Sequence, residues 1–215
     1  MTKIFVLAGG VLDLELARDY DVYVGVDAGA KKLLQEGLPL DLAVGDFDSV
    51  SQKEWQAIQD KAKEVLTAQV EKDDTDLELA LMAIFERWSE AHVTIYGALD
   101  GRLDHTLSNL FLVEDPRFSP FMEQIHLINK LNQVNYLSQG KRQLVNPGGY
   151  RYVSFMPSVV EGFEIAGAKY PLNSSNFFRK KIYSSNEFID EDIVLTIPEG
   201  YVLVIYSKDQ TSWMF

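Results

Sequence analysis

Over the first 130 residues, apolar runs of strand length alternate with amphipathic runs of helix length, and beyond about residue 131 the helical runs stop. "KIFVLA" (3–8), "DVYVGVD" (21–27), "LDLAVGD" (40–46), "EVLTA" (64–68) and "HVTIYGA" (92–98) have the continuous apolar character of strands buried on both faces. Between them, 30–36, 51–63, 75–90 and 104–114 carry helical periodicity, with Leu77, Leu81, Ile84, Phe85 and Trp88 on one face. Parallel neighbours need a long crossover, so strands that alternate with helices predict a parallel, Rossmann-like α/β sheet with covered faces.

The second part reads differently. "NQVNYLS", "RQLVNP", "YRYVSFMP", "FEIAGAKYPL", "DIVLTIP" and "YVLVIYS" are short strand-like runs separated by Gly, Pro and Asn. That pattern predicts a small antiparallel β-sandwich. The expected domains are therefore 1–131, α/β, and 132–215, β-sandwich, each joined to the other near Leu131 to Ser138.

Charge and composition narrow the function. The formal net charge is −12, from 32 acidic against 20 basic residues, with no dense basic run. Such a surface repels phosphate backbones, which argues against nucleic acid as a partner. There is no cysteine, so disulfides and thiolate metal sites are excluded. No stretch approaches the roughly 20 apolar residues of a membrane span, and "KIFVLA" is too short for a signal-peptide core. A cytoplasmic protein is expected.

The acids fall at the ends of the predicted strands. Asp27 ends the second, Asp46 and Asp48 end the third, Asp73, Asp74 and Asp76 follow the fourth, and Asp100 and Asp104 follow the fifth. In a parallel sheet these ends share one rim, the usual ligand-binding edge. Helix capping explains part of the pattern, since acids favour helix starts. Ser51 with Glu54 and Thr75 with Glu78 already supply capping boxes, which leaves Asp46 and Asp48 surplus. Crowded carboxylates resist joint ionisation, and a divalent cation removes that conflict. Oxygen-only ligands without a His or Cys cluster suit Mg²⁺, which is typically shared with substrate phosphates.

"GALDGRLDHTLSNL" (97–110) adds a base to this acidic rim. Arg102 can grip phosphate oxygens with paired hydrogen bonds, and Asp104 can cap the following helix, orient Arg102 or join the metal site. The alternative is an ordinary loop with a surface ion pair. His105 shares this context, whereas His92 and His126 stand at strand starts.

"GDFDS", "EKDDTDLELAL" and "GALDGRLDHTLSNL", followed by "GAKYPL" and "SSNEF", resemble in order and spacing the motif set of bacterial thiamine pyrophosphokinases. The resemblance implies transfer of a pyrophosphoryl group from ATP to the thiamine hydroxyl with Mg²⁺, giving thiamine diphosphate and AMP. It also implies a homodimer whose active site lies at the subunit interface. Asp46, Asp48 and Asp76 fall where that family binds Mg²⁺ and phosphates, and Thr75 and Arg102 at phosphate-contacting positions. Asp27, Ser49, Asp73, Asp104 and His105 fall in active-site motifs, and Ser185 and Asn186 in the segment that approaches thiamine. "NSSNF" (173–177) offers a competing Ser-Asn pair, and Tyr170, Tyr201 and Trp213 are candidate platforms for the thiazolium ring. Four other functions use some of the same features. "LAGG" after the first strand suggests a nucleotide-dependent oxidoreductase, but G-x-G-x-x-G is missing. The others are a two-metal phosphatase, a pyrophosphokinase for another alcohol such as a pterin, and a non-catalytic thiamine- or nucleotide-binding protein.

Overall fold

The strand–helix alternation becomes a parallel sheet. In the computed structural model, which describes residues 1–10, 19–67, 73–189 and 191–210, the strands β1 (Lys3–Leu7), β2 (Val22–Val26), β3 (Leu42–Gly45), β4 (Glu64–Thr67), β5 (His92–Tyr96) and β6 (Ile125–Ile128) pair in the order β4–β3–β2–β1–β5–β6. Every one of these pairings is parallel. The helices are α1 (Ala28–Gln35), α2 (Gln52–Lys61), α3 (Asp76–Arg87) and α4 (Leu103–Phe111), followed by 3₁₀ turns at Leu112–Glu114 and Ser119–Gln124. They lie within the first of two compact units, Met1–Asn129; the second is Lys130–Phe215.

Sequence chemistry explains the element ends. Ser51 and Thr75 each form a complete capping box, with Glu54 and Glu78, and so start α2 and α3. A cap of this kind stabilises a helix by about 1 kcal/mol. One core gathers Phe5, Leu7, Leu33, Ala43, Phe47, Ile58 and Tyr96, and α3 contributes Leu77, Leu81, Ile84 and Phe85 as buried residues. Helix α4 has no buried residue; Leu103 and Leu107 are exposed.

In the parallel order, β1 stands between β2 and β5, where the chain's winding reverses. This is the switch point at which open α/β sheets bind ligands. The loops there are glycine-dependent: a Cβ on Gly10 would lie 2.4 Å from the Cα of Gly97. Lys32 of α1 donates to the carbonyls of Gly9 and Gly10, the latter at 2.6 Å.

The second unit is antiparallel. Its axis is a long antiparallel pair of β7 (Asn132–Leu144) and β11 (Ile193–Ser207), with β8 (Tyr152–Pro157) and β9 (Glu164–Ala166) on different lengths of β11, and β10 (Tyr183–Asn186) on β8. Both ends of β11 bury side chains in a single core with Phe155, Phe163, Ile165 and Tyr183. Two expected pairs of short strands are each one long strand here. "NQVNYLS" with "RQLVNP" lies largely in β7, and "DIVLTIP" with "YVLVIYS" in β11. The Pro198–Gly200 step is absorbed by a register shift between Ile197, paired with Gly140, and Tyr201, paired with Ser138.

Candidate active site

The rim at the ends of β2 and β3 is built from strained turns. Asp27 directly follows β2, and its amide donates to Val44 O at 2.9 Å, which ties it to β3. It has φ 46°, a conformation unfavourable for a residue with a side chain, and Phe47 has φ 57°. The strain is held by packing: Phe47 is buried, its ring 4.7 Å from that of Trp55. The Phe47 amide donates to Asp27 Oδ1 at 3.3 Å and the Asp48 amide to Asp46 Oδ1 at 3.1 Å. Thus the apolar anchor between the two acids of "GDFDS" fixes both the turn and the carboxylates around it.

Asp27, Asp46 and Asp76 each offer an oxygen, and these oxygens lie within 4.8 Å of one another. Asp76 reaches the group from the first turn of α3, immediately after its Thr75 cap. The expected trio was Asp46, Asp48 and Asp76; the structure brings in Asp27 and leaves Asp48 exposed outside the group. β2 and β3 are adjacent and carry Asp27 and Asp46 to one point. The room for Asp27 comes from Gly45, where a Cβ would lie 1.9 Å from Asp27 Oδ1.

Crowding shows in the chemistry of Asp27. Burial, then a hydrogen bond and charge repulsion from Asp76, with a smaller repulsion from Asp46, push its carboxyl up to about 7, against a lowering by the Phe47 amide. A proton is therefore retained there well above the ordinary carboxylate range. A divalent cation would replace that proton, and an all-carboxylate donor set is suited to Mg²⁺.

The sign of the pH dependence follows. Between the ordinary value of 3.8 and about 7 the folded protein holds a proton on Asp27 that the unfolded chain does not. The contribution of this group to stability is thus fully present at low pH and lost as pH rises through about 7. Cation binding has the opposite trend. Titration calorimetry with Mg²⁺ at pH 6, in buffers of different ionisation enthalpy, is expected to register release of about one proton per ion, falling toward zero at pH 8.5. Zero release at pH 6 would put Asp27 outside the cation's ligands.

Other expected residues are exposed on the same unit. Asp73 and Ser49 are exposed, and Thr75 is the α3 cap. Arg102 forms a two-point pair with Asp104, Nε to Oδ1 at 3.1 Å and Nη2 to Oδ2 at 2.5 Å, and both are exposed. Arg102 holds the Asp104 carboxyl below its usual range, so Asp104 is poorly disposed to accept a proton. His105 is exposed on α4. Asp100, noted only as a member of the acidic rim, accepts from Asn129 Nδ2 at 3.1 Å through Oδ1, while its Oδ2 is buried without a hydrogen-bond partner.

In the second unit, Ser185 has φ 59° and its amide donates to Ser154 Oγ at 3.1 Å. Asn186 is buried, and its amide group is engaged with Tyr170: Oδ1 accepts from the Tyr170 N–H at 2.9 Å and Nδ2 donates to the Tyr170 O at 2.8 Å. Asn186 therefore fixes the loop of "GAKYPL". A cavity of about 460 Å³ adjoins it, lined by Tyr170, Phe178, Tyr183, Ser184 and Lys180 among others. In the competing "NSSNF" segment, Asn173 closes a local turn by accepting from Ser175. Of the candidate aromatic platforms, Tyr170 is exposed and Tyr201 is buried in the core; Trp213 lies outside the described residues.

Known proteins resemble this chain over nearly its whole length. Residues 14–126 match the family model described as thiamin pyrophosphokinase, catalytic domain, and residues 141–202 match that described as thiamin pyrophosphokinase, vitamin B1 binding domain. A curated Bacillus subtilis protein named thiamine pyrophosphokinase is 31% identical over 97% of this chain and 100% of its own length. The crystal structure of a thiamin pyrophosphokinase family protein from Enterococcus faecalis is 35% identical, covers 98% of this chain and 100% of that one, and superposes with a TM-score of 0.87. A thiamin pyrophosphokinase structure from Geobacillus thermodenitrificans is 30% identical over 98% of this chain and 99% of that one, with a TM-score of 0.80.

Proposed function

Because the chain belongs to the thiamin pyrophosphokinase family, we propose that it transfers the terminal pyrophosphoryl group of ATP to the hydroxyl of thiamine, with Mg²⁺, at the strand-end rim of the first unit. The observation that carries this reading is the convergence of Asp27, Asp46 and Asp76 on one point of the rim. Mg²⁺ held by these three carboxylates would neutralise charge on the nucleotide phosphates. Asp48 orients Asp46 through its amide. Ser49, Asp73, Thr75 and His105 are assigned to the nucleotide side, from their positions in the family's motifs.

The chemistry is a displacement at the β-phosphorus. The thiamine oxygen forms the new P–O bond, the α–β bridging bond breaks, and AMP leaves. Positioning and charge neutralisation carry most of the catalysis in such reactions. Arg102, presented as a fork by Asp104, is placed in the role of stabilising the transferring group. A loose transition state needs little base assistance, and the hydroxyl proton leaves to water. Within this reading the first unit is a Rossmann-like catalytic domain, and the second is a β-sandwich whose Ser185 and Asn186 segment serves thiamine.

The proposal is tested by incubating the protein with ATP, Mg²⁺ and thiamine and identifying products by mass, with thiamine omitted in one arm and EDTA added in another. Thiamine diphosphate and AMP are expected only in the complete mixture. ATP consumed equally without thiamine would instead support a phosphatase.

We also place the active site at the interface of a homodimer, in line with the exposed apolar residues Leu103 and Leu107 of α4 and Phe177, Phe178, Ile182 and Ile189 of the second unit. Mixed dimers of Asp46→Asn with Asn186→Ala should then regain part of the activity that each homodimer lacks. Mixed dimers as inactive as their parents would count against a shared site.

A further inference from the structure

Asp74 is the acid of "DDTD" that the proposed chemistry leaves unassigned, and the structure engages it fully. Arg117 Nη2 donates to its Oδ1 at 2.7 Å and Nη1 to its Oδ2 at 3.1 Å. The same guanidinium uses its other edge on Asp115, Nε to Oδ2 at 3.0 Å and Nη2 to Oδ2 at 2.6 Å, while the Arg117 amide donates to Asp115 Oδ1 at 2.8 Å. Nη1 also lies 3.3 Å from Met82 Sδ, on the body of α3. One planar group therefore joins the approach to α3, the helix itself and the segment between the two 3₁₀ turns. That segment is itself fixed, since the Phe118 and Ser119 amides both donate to Asp115 O.

Asp74 directly precedes Thr75, the α3 cap, and stands two residues before Asp76, whose carboxylate belongs to the acidic group. We infer that Arg117 is a positioning residue for the cation site: by gripping both oxygens of Asp74 with one edge and Asp115 with the other, it fixes the start of α3, and with it the place of the Asp76 carboxylate beside Asp27 and Asp46. This rests on the reading of that group as a cation site. Only a guanidinium offers two forked faces in one plane, so lysine cannot substitute for it geometrically although it keeps the charge.

The sign of the effect separates positioning from charge. Arg117 is a cation, so by Coulomb's law alone its removal should tighten binding of a nearby cation. Positioning requires the reverse. The test is titration of the nucleotide-free full-length protein with Mn²⁺, followed by electron paramagnetic resonance, alongside thermal melting. Arg117→Met is expected to weaken Mn²⁺ binding by about tenfold, since loss of a group that orients a metal ligand lowers affinity by about 10–100-fold. Arg117→Lys, which preserves charge, is expected to weaken it several-fold and carries the test alone if the Met variant does not fold. As a control, Arg87→Met breaks a pair with Glu64 at the other end of α3 and should change melting without changing Mn²⁺ affinity. Unchanged or tighter binding in both Arg117 variants, whatever their melting temperatures, would overturn the inference and leave the cation site standing. A wild-type protein that bound no Mn²⁺ would overturn both.

Discussion

Replacing Asp46 with asparagine is expected to lower turnover of ATP and thiamine by about a thousandfold or more while leaving the thermal midpoint nearly unchanged. The first part follows from the donor set. Asp46 is one of three carboxylates whose oxygens lie within 4.8 Å of one another, and an asparagine keeps the shape while removing the charge that a hard divalent cation requires. Losing one anchored charge from a transition state that depends on charge neutralisation has effects of two to three orders of magnitude or more. The second part follows from the hydrogen bonding. Asp46 Oδ1 accepts from the Asp48 amide, and an asparagine carbonyl can accept the same bond. Steady-state rates beside a melting curve check both halves, and wild-type activity in the variant would remove Asp46 from the cation's ligands.

Gly45→Ala should be nearly as damaging, though the glycine carries no chemistry. Its φ of 151° lies outside the range favoured by residues with a side chain, and the added Cβ would sit 1.9 Å from Asp27 Oδ1. Either the turn opens or Asp27 rotates away from Asp46 and Asp76. We expect a drop in kcat of about a hundredfold and a loss of about 1–3 kcal/mol in stability from the strained backbone. Denaturant unfolding and rates at saturating ATP and thiamine measure the two effects. An alanine variant with wild-type kcat would mean that the Asp27 carboxylate is not needed where it stands.

Much of this site was legible in the chain because strand ends are legible. Where "VYVGV" and "LAVG" stop, Asp27 and Asp46 follow, and the parallel arrangement puts both on one rim. Which acids converge was not legible. Asp48 resembles Asp46 in sequence context, and only the adjacency of β2 and β3, together with the missing side chain at Gly45, selects Asp27 as the third member. The clamp on Asp74 was invisible for another reason, because Arg117 lies 43 positions away and nothing local marks the pair.

The same distinction holds for the β unit. Gly140, Pro198 and Gly200 have the composition of turns, and each was expected to end a strand. Here all three lie inside long strands: Gly140 pairs with Ile197, and a shift in register before Tyr201 accommodates Pro198 and Gly200. Conversely, β10 is "YSSN", whose serines and asparagine resemble a loop; its irregular pairing with β8 leaves Ser185 with positive φ. Pairing partners distant in sequence, rather than local preference, decide both cases.

The placement of β11 bears on how the protein is made. It bonds to β7, β8 and β9, and through β8 it supports β10. Yet Ile193–Ser207 is the last of the described strands in chain order, so it leaves the ribosome after the others. The first unit has all its described strands once residue 128 has emerged and can fold during synthesis, whereas β7, β8 and β9 stay without their common partner until residues 193–207 have emerged. A nascent chain arrested before residue 193 would thus carry a finished α/β unit and a protease-sensitive tail, and substitutions that slow β-pairing would reduce yield before they altered activity.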